Sequence, residues 1–248
     1  MIERLTVRNY RGVDVPAVLG LVIGGFGAAT VTSITAFDSA GVPVQGWVAS
    51  GAALLVLGAG LVDDLTTPGP RGLRAHLRSL AGGHVTSGTL KLFVIAAASV
   101  VAVAAVPGGS GASRGAGALV VAACANLWNG LDVRPGRAIK FFLLVALAGA
   151  LWFPWRNAPF VPGVGLAALL VLPWDAGERA MLGDAGSNVL GFVVGLGLYH
   201  RLSGGWVVIA AALVVSLNLL ADTVSLSRAI DAVPPLRWFD RIGRAVDG

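Results

Sequence analysis

Eight runs of apolar residues follow one another through the chain. They lie at about Val15 to Ala36, Val44 to Val62, Leu90 to Val106, Gly115 to Leu131, Ala138 to Phe153, Phe160 to Trp174, Val189 to Leu202 and Trp206 to Ala221. A helix needs roughly 20 apolar residues to cross a hydrocarbon core about 30 Å thick. Several runs are shorter, so they need polar flanks, local thinning or close neighbours. The chain is 56% hydrophobic and 12% charged, against roughly 25% charged in a soluble domain, and its mean hydropathy is +0.79. These features predict an all-α, polytopic integral membrane protein of about eight transmembrane helices, one domain over residues 1–248, without a soluble domain or internal repeat.

The positive charges orient that bundle. With the N-terminus inside, fifteen of the 18 basic residues fall on the cytoplasmic side, and only Arg114, Arg156 and Arg201 fall opposite. That bias sets the topology by the positive-inside rule. An even number of spans then leaves both termini in the cytoplasm: a segment over 1–14, read as a mature start without a cleavage site, and an amphipathic one over 222–248. The pI near 10.3 belongs to loops beside anionic headgroups and phosphates, and nucleic acid need not be invoked. The single cysteine, Cys124, lies within an apolar run and reads as a small core residue.

Against this background the carboxylates stand out, because an Asp at mid-bilayer costs about 2.5–3.5 kcal/mol on insertion scales. Three polar clusters sit beside spans on the predicted cytoplasmic face. They are "GLVDDL" with Asp63 and Asp64, "NLWNGLDVRPGRAIK" with Asn126, Asn129 and Asp132, and "MLGDAGSNVLGF" with Asp184, Ser187 and Asn188. Any one of them alone reads equally well as a helix cap. Together they have the chemistry of a phosphate site. Adjacent carboxylates joined by a third form a hard oxygen site for Mg²⁺, and Mn²⁺ has the same preference. A remaining carboxylate can accept a proton. Gly183 and Gly186 flank Asp184 and would let backbone approach a ligand, with the following helix N-terminus facing a diphosphate. Asn126 and Asn129 are three residues apart, on one helix face, and can hold ribose, base or metal-bound phosphate. Arg134, Arg137 and Lys140 supply countercharge.

The ordered trio resembles the polyprenyl-phosphate N-acetylhexosamine-1-phosphate transferases. That glycosyltransferase-family-4-like group includes the bacterial translocase of phospho-MurNAc-pentapeptide and the enzymes that place GlcNAc-1-phosphate on lipid carriers. The resemblance runs from "NYRGVDVP" at Asn9 to Pro16, which looks like the family's first cytoplasmic loop, to the eighth apolar run. It implies a multi-pass enzyme of the bacterial inner membrane, acting at the cytoplasmic face in cell-wall or glycan biosynthesis. Its substrates would be polyprenyl (undecaprenyl) phosphate and a UDP-sugar. By the same resemblance Asp184 is a Mg²⁺ ligand, and Asp63 and Asp64 activate the carrier phosphate or organise the metal, Asp64 being the second candidate ligand. Asn129 and Asp132 would bind nucleotide and diphosphate.

The chain departs from the family pattern in four places. Thr67 stands where a Lys follows the acidic pair, leaving Arg71, Arg74 or Lys91 to supply the cation. Pro135 stands where an acid is expected, the late His-rich motif is absent, and the apolar runs are fewer than the usual ten or eleven spans. A catalytically idle relative that binds lipid-linked or nucleotide ligands, or a membrane partner, is the alternative. A CDP-alcohol phosphotransferase is disfavoured because no D-G-x-x-A-R helix is present. Transport is disfavoured because the polar groups gather at one face. His76, between Arg74 and Arg78, reads as a solvated loop residue. "GFVVG" (Gly191 to Gly195) and "GLVIG" (Gly20 to Gly24) are small-residue stripes that suit helix packing, and a homodimer is their second use. The tail, with Trp238 and Phe239 among arginines, suits a short helix at headgroup level or a cover over the site.

Overall fold

The computed structural model describes residues 5–9, 11–66, 78–149, 155–221 and 225–244. Thr67, Arg71, Arg74 and His76 lie outside the described residues. The described chain is nearly all helix, with one small hairpin. Strands β1 (Thr6–Arg8) and β2 (Asp14–Pro16) pair antiparallel, Val7 opposite Val15. The helices are α1 (Leu19–Phe37), α2 (Val44–Leu65), α3 (Ser87–Ala104), α4 (Gly111–Leu131), α5 (Arg137–Leu147), α6 (Val161–Ala176), α7 (Gly183–Arg201), α8 (Gly205–Ala221), α9 (Leu226–Ala232) and α10 (Pro234–Arg241).

Every apolar run thus coincides with a helix, the one backbone form that satisfies its own amides and carbonyls in hydrocarbon. Three of them, α1, α2 and α3, are each long and apolar enough to cross a membrane, and α8 with α9 makes a fourth if that bent pair is counted as one span. The fifth run yields a helix of only 11 residues, α5, about 16 Å long at 1.5 Å per residue.

Helix α7 is the axis of the bundle. From Ala185 to Gly197 every residue is buried, and α1, α2, α4 and α5 all pack on it. A helix apolar all round is stable only when wrapped on all sides. Glycines permit that wrapping. A Cβ at Gly60 would lie 2.6 Å from the Ala185 Cα, and one at Gly195 would lie 2.5 Å from the Val121 Cα. One at Gly191 would lie 2.6 Å from the Ala125 Cα, and one at Gly186 2.8 Å from the Gly20 Cα. Both small-residue stripes therefore serve packing within this bundle.

Loops and termini are tied by specific partners. Thr86 and Ser110 cap α3 and α4 by accepting N–H bonds from Thr89 (3.1 Å) and Ser113 (3.2 Å). The first amides of α1, Leu19 and Gly20, donate to the Met181 and Leu182 carbonyls, both at 3.1 Å. The Met181 amide in turn donates to the Pro16 carbonyl at 2.7 Å. The hairpin is thereby fastened to the loop entering α7. Glu178 on that loop holds Asn9 (3.2 Å) and Arg11 (3.1 Å).

This packing predicts a sharp contrast among glycines. Gly195→Leu should destabilise the bundle by about 3 kcal/mol through overpacking, read as loss of the monodisperse detergent-solubilised peak on heating. Gly58→Leu, where a Cβ meets nothing within 4 Å, should leave the melting temperature close to wild type.

Candidate functional site

The three polar clusters meet at one end of the bundle. Asp63 and Asp64 end α2, Asn126 and Asn129 lie in the last turns of α4, Asp132 follows α4, and Asp184 opens α7. The apolar run of α7 begins at Val189, yet the helix starts six residues earlier at Gly183. "GDAGSN" is therefore the helix start itself.

That start is held by Asp64. Its Oδ1 accepts the Asp184 amide at 2.8 Å and its Oδ2 accepts the Ala185 amide at 3.0 Å. A carboxylate on the first amides of a helix also meets the positive end of the macrodipole. Gly183 has φ of 70°, a conformation that favours glycine, and a Cβ there would lie 2.8 Å from Asp64 Oδ2. Two expectations are corrected here. The first α7 amides are taken by Asp64 rather than left for a diphosphate. Gly183 and Gly186 make room for Asp64 and for Gly20 and Leu182, and do not open the backbone to a ligand.

Asp63 points elsewhere. Its Oδ2 lies 2.6 Å from Nζ of Lys91, in the second turn of α3, and the same ammonium makes a short contact with Asp184 Oδ2. Lys91 is buried, with 6% of its side chain exposed. Lys91, one of the three cations that the sequence left to replace the family's Lys, is placed at the acidic pair; the other two lie outside the described residues. Asp63, rather than Asp64, is the partner that shares a cation with Asp184. Consecutive residues on a helix point about 100° apart, which is why neighbouring aspartates reach different targets.

The amides extend the site towards α8. The Ser187 hydroxyl lies 3.0 Å from Asn129 Oδ1 and 2.9 Å from the Gly183 carbonyl. Asn126 donates to Asn218 Oδ1 at 2.7 Å. Asn218 is fixed by donating to the Ala123 and Val214 carbonyls, at 2.9 and 2.8 Å. Beside them opens a cleft of about 320 Å³, walled by Lys91, Asn126, Asn129, Asn218, Ser225 and Ser227 with Leu92, Leu127, Val133 and Leu226. Sequence reasoning missed Asn218, although an Asn inside "VVSLNLL" is the kind of intramembrane polar residue that signals a site. It also missed Asp175, buried at 3% exposure, which accepts the Gly136 amide at 2.8 Å and the Leu182 amide at 3.2 Å. Asp175 ties the loop after α4, turned by Gly136 at φ 70°, to the loop before α7.

Asp132 accepts no hydrogen bond and makes no ion pair among the described residues. Burial, with the charges of Asp175, Asp184 and Asp64, pushes its carboxyl well above the usual carboxylate range.

Arg137 and Lys140 do not face this cleft as free countercharges, which corrects a further expectation. Arg137, 1% exposed, clasps Asp240 of α10 with two bonds, Nε to Oδ1 at 2.8 Å and Nη2 to Oδ2 at 2.9 Å. Its Nη1 reaches Ser227 at 2.8 Å. Lys140 donates to the Asp240 carbonyl by a short bond and to the Ile242 carbonyl at 3.0 Å. Phe141 meets Phe239 edge to face, with centroids 5.6 Å apart. Arg244 completes the clamp, pairing with Asp240 and donating to the Pro135 carbonyl at 3.3 Å. The C-terminal segment is thus latched onto α5, and its start, Ser225 to Ser227, forms part of the cleft wall. Arg134 stays half-buried on the loop after α4.

No protein-family model, no curated protein and no solved structure matches the chain.

Three outcomes test this geometry. Lys91→Met leaves Asp63 and Asp184 facing each other and should cost about 3 kcal/mol. Adding Asp63→Asn should recover most of that, so a thermal-melt double-mutant cycle that is strictly additive would exclude the bridge. A carboxyl raised by folding contributes stability below its unfolded value and loses it as pH rises through the folded value. Asp132→Asn should therefore raise the melting temperature at alkaline pH and leave it nearly unchanged in acid. For Asp240 burial pushes the carboxyl up, but the bonds and charge of Arg137, with the charge of Arg244, bring it below the usual range. Its contribution is present at neutral pH and lost only as pH falls through that lowered value. At neutral pH Asp240→Ala should release the tail, and trypsin should cut at Arg237 and Arg241 at least about tenfold faster.

Proposed function

We propose that the protein is a multi-pass membrane enzyme of about eight spans with both termini in the cytoplasm. It transfers a sugar 1-phosphate from a UDP-sugar, of the UDP-N-acetylhexosamine class, to a polyprenyl phosphate at the cytoplasmic face, releasing UMP. One observation carries this reading. Three motifs far apart in sequence, ordered as in the lipid-carrier transferases they resemble, converge on one acidic cluster at the mouth of a polar cleft at one end of an apolar bundle. Helices α4 and α7, which have the length to span but fall short of the apolarity of α1, α2 and α3, carry two of the three motifs and pack closely on each other. Their polar residues therefore lie against protein rather than lipid.

In the reaction an oxygen of the carrier phosphate bonds to the sugar-bearing phosphorus, and the bond from that phosphorus to the oxygen retained by UMP breaks. The donor set suits a hard divalent cation. Asp63 and Asp184 aim carboxylate oxygens at one cationic centre, held in this structure by the Lys91 ammonium. Mg²⁺ commonly takes one or two carboxylates, with phosphate and water completing its shell. Among the described residues no group of three or more His, Cys, Asp or Glu converges as a self-sufficient cage, so a substrate phosphate must complete the site. Mg²⁺ or Mn²⁺, when bound with substrate, supplies charge neutralisation at the diphosphate. Lys91 then donates to a phosphate oxygen from the cleft wall, and Asp64 keeps its structural post, holding Asp184 in place. Asn126 and Asn129 orient the donor.

The idle-relative reading draws on the same ammonium, since Lys91 already neutralises the two carboxylates. Purified protein in liposomes with undecaprenyl phosphate, Mg²⁺ and a panel of UDP-sugars separates the two. UMP release with one donor, abolished by EDTA and lowered at least about a thousandfold by Asp184→Asn, is the expected result. A folded protein that turns over no donor, yet binds one, would establish the idle relative.

A further inference from the structure

The C-terminal segment offers a surface that the proposed reaction does not use. In α10 the residues at 239 and 240 form the inner side. Asp240 is 1% exposed in the grip of Arg137, and Phe239 lies against Phe141. Helical spacing places Pro234, Arg237, Trp238 and Arg241 on the opposite stripe, and all four are exposed, Trp238 at 69%. Arg237, Arg241 and Arg228 of α9 make no ion pair or hydrogen bond among the described residues. Val233 and Ile242, each 44% exposed, extend the apolar part of this surface at the two ends of α10. Helix α9 turns 102° from α8, so if α8 crosses the bilayer, α9 runs close to the membrane plane.

We propose that α9 and α10 form a docking surface for anionic phospholipid. The Trp238 ring sits at the headgroup level, and Arg228, Arg237 and Arg241 pair with lipid phosphates. An aromatic flanked by unpaired arginines, on a helix whose other face is latched to the protein, has the chemistry of an interfacial anchor. Charge complementarity selects an acidic bilayer over a neutral one, at about fivefold in partitioning per arginine. The same segment supplies Ser225 and Ser227 to the cleft wall, so acidic lipid holds that wall in place. This inference stands whether or not the cleft turns over a UDP-sugar.

The test places an environment-sensitive fluorophore at Val233→Cys, which keeps Trp238, the native Cys124 being buried. The full chain is reconstituted in vesicles of phosphatidylcholine alone or mixed with phosphatidylglycerol. Expected is quenching by brominated lipid and at least about fivefold lower access to the neutral quencher acrylamide in the acidic vesicles, reversed by high salt and by Arg237→Gln with Arg241→Gln. Those arginines lie outside the Asp240 latch, so the variant keeps its fold. Equal acrylamide access in both vesicle types would overturn the proposal. So would equal protection in both that survives the glutamine variant, which would mark the face as a contact with another protein copy.

Discussion

The structure depends on how the N-terminus of α7 is satisfied inside the bundle. A helix start carries amides without intrahelical partners, and burying one such donor unpaired costs about 1–3 kcal/mol. Here the start lies on the bundle axis, wrapped by four helices. The Asp64 carboxylate answers by accepting the Asp184 and Ala185 amides. That requirement fixes the end of α2 against α7, and with it the glycine at 183 and the close approach at Gly60.

Acidity follows from this solution. Once Asp64 is committed to α7, and Asp175 to the Gly136 and Leu182 amides, two carboxylates are held by backbone dipoles rather than by cations. Asp63, Asp132 and Asp184 remain nearby, and Lys91 is the cation bonded among them. The neighbouring Arg137, Lys140 and Arg244 converge instead on Asp240 of the tail. Among the described residues carboxylates thus outnumber cations in the cluster, while the latch behind it gathers three cations on the one acidic residue Asp240. Lys91 is held between Asp63 and Asp184, while the Asp132 carboxylate makes no hydrogen bond or ion pair among the described residues.

Much of this arrangement was legible in the sequence because lipid makes polarity expensive. Carboxylates and amides beside apolar runs had to converge, and the links from Asp64 to Asp184, Lys91 to Asp63, and Ser187 to Asn129 show that they do. The division of labour within the pair at 63 and 64 was not legible, since adjacent helical positions diverge by about 100° and only tertiary structure tells which faces α7. Nor was the fate of Arg137 and Lys140, because their partner lies a hundred residues on, in a tail whose composition reads equally as a lipid-facing helix. The glycines around Asp184 misled for a physical reason. Close approach to backbone is the same property whether the approaching group is a ligand or another helix, and here Gly186 meets Gly20.

The tail joins these themes. Asp240 is nearly inaccessible, and a buried ion pair is by itself weak evidence for stability, because desolvation offsets much of its attraction. What the Arg137 to Asp240 pair supplies is register. The bidentate geometry admits one seating of α10 on α5, Lys140 closes the C-terminal carbonyls of that helix, and Ser227 is drawn to the third guanidinium nitrogen. A single arginine thereby couples the cleft wall to the surface helix. The polar stretch that joins the fourth and fifth apolar runs is thus partitioned, its amides turned to the cleft and Arg137 and Lys140 to the chain's own C-terminal segment.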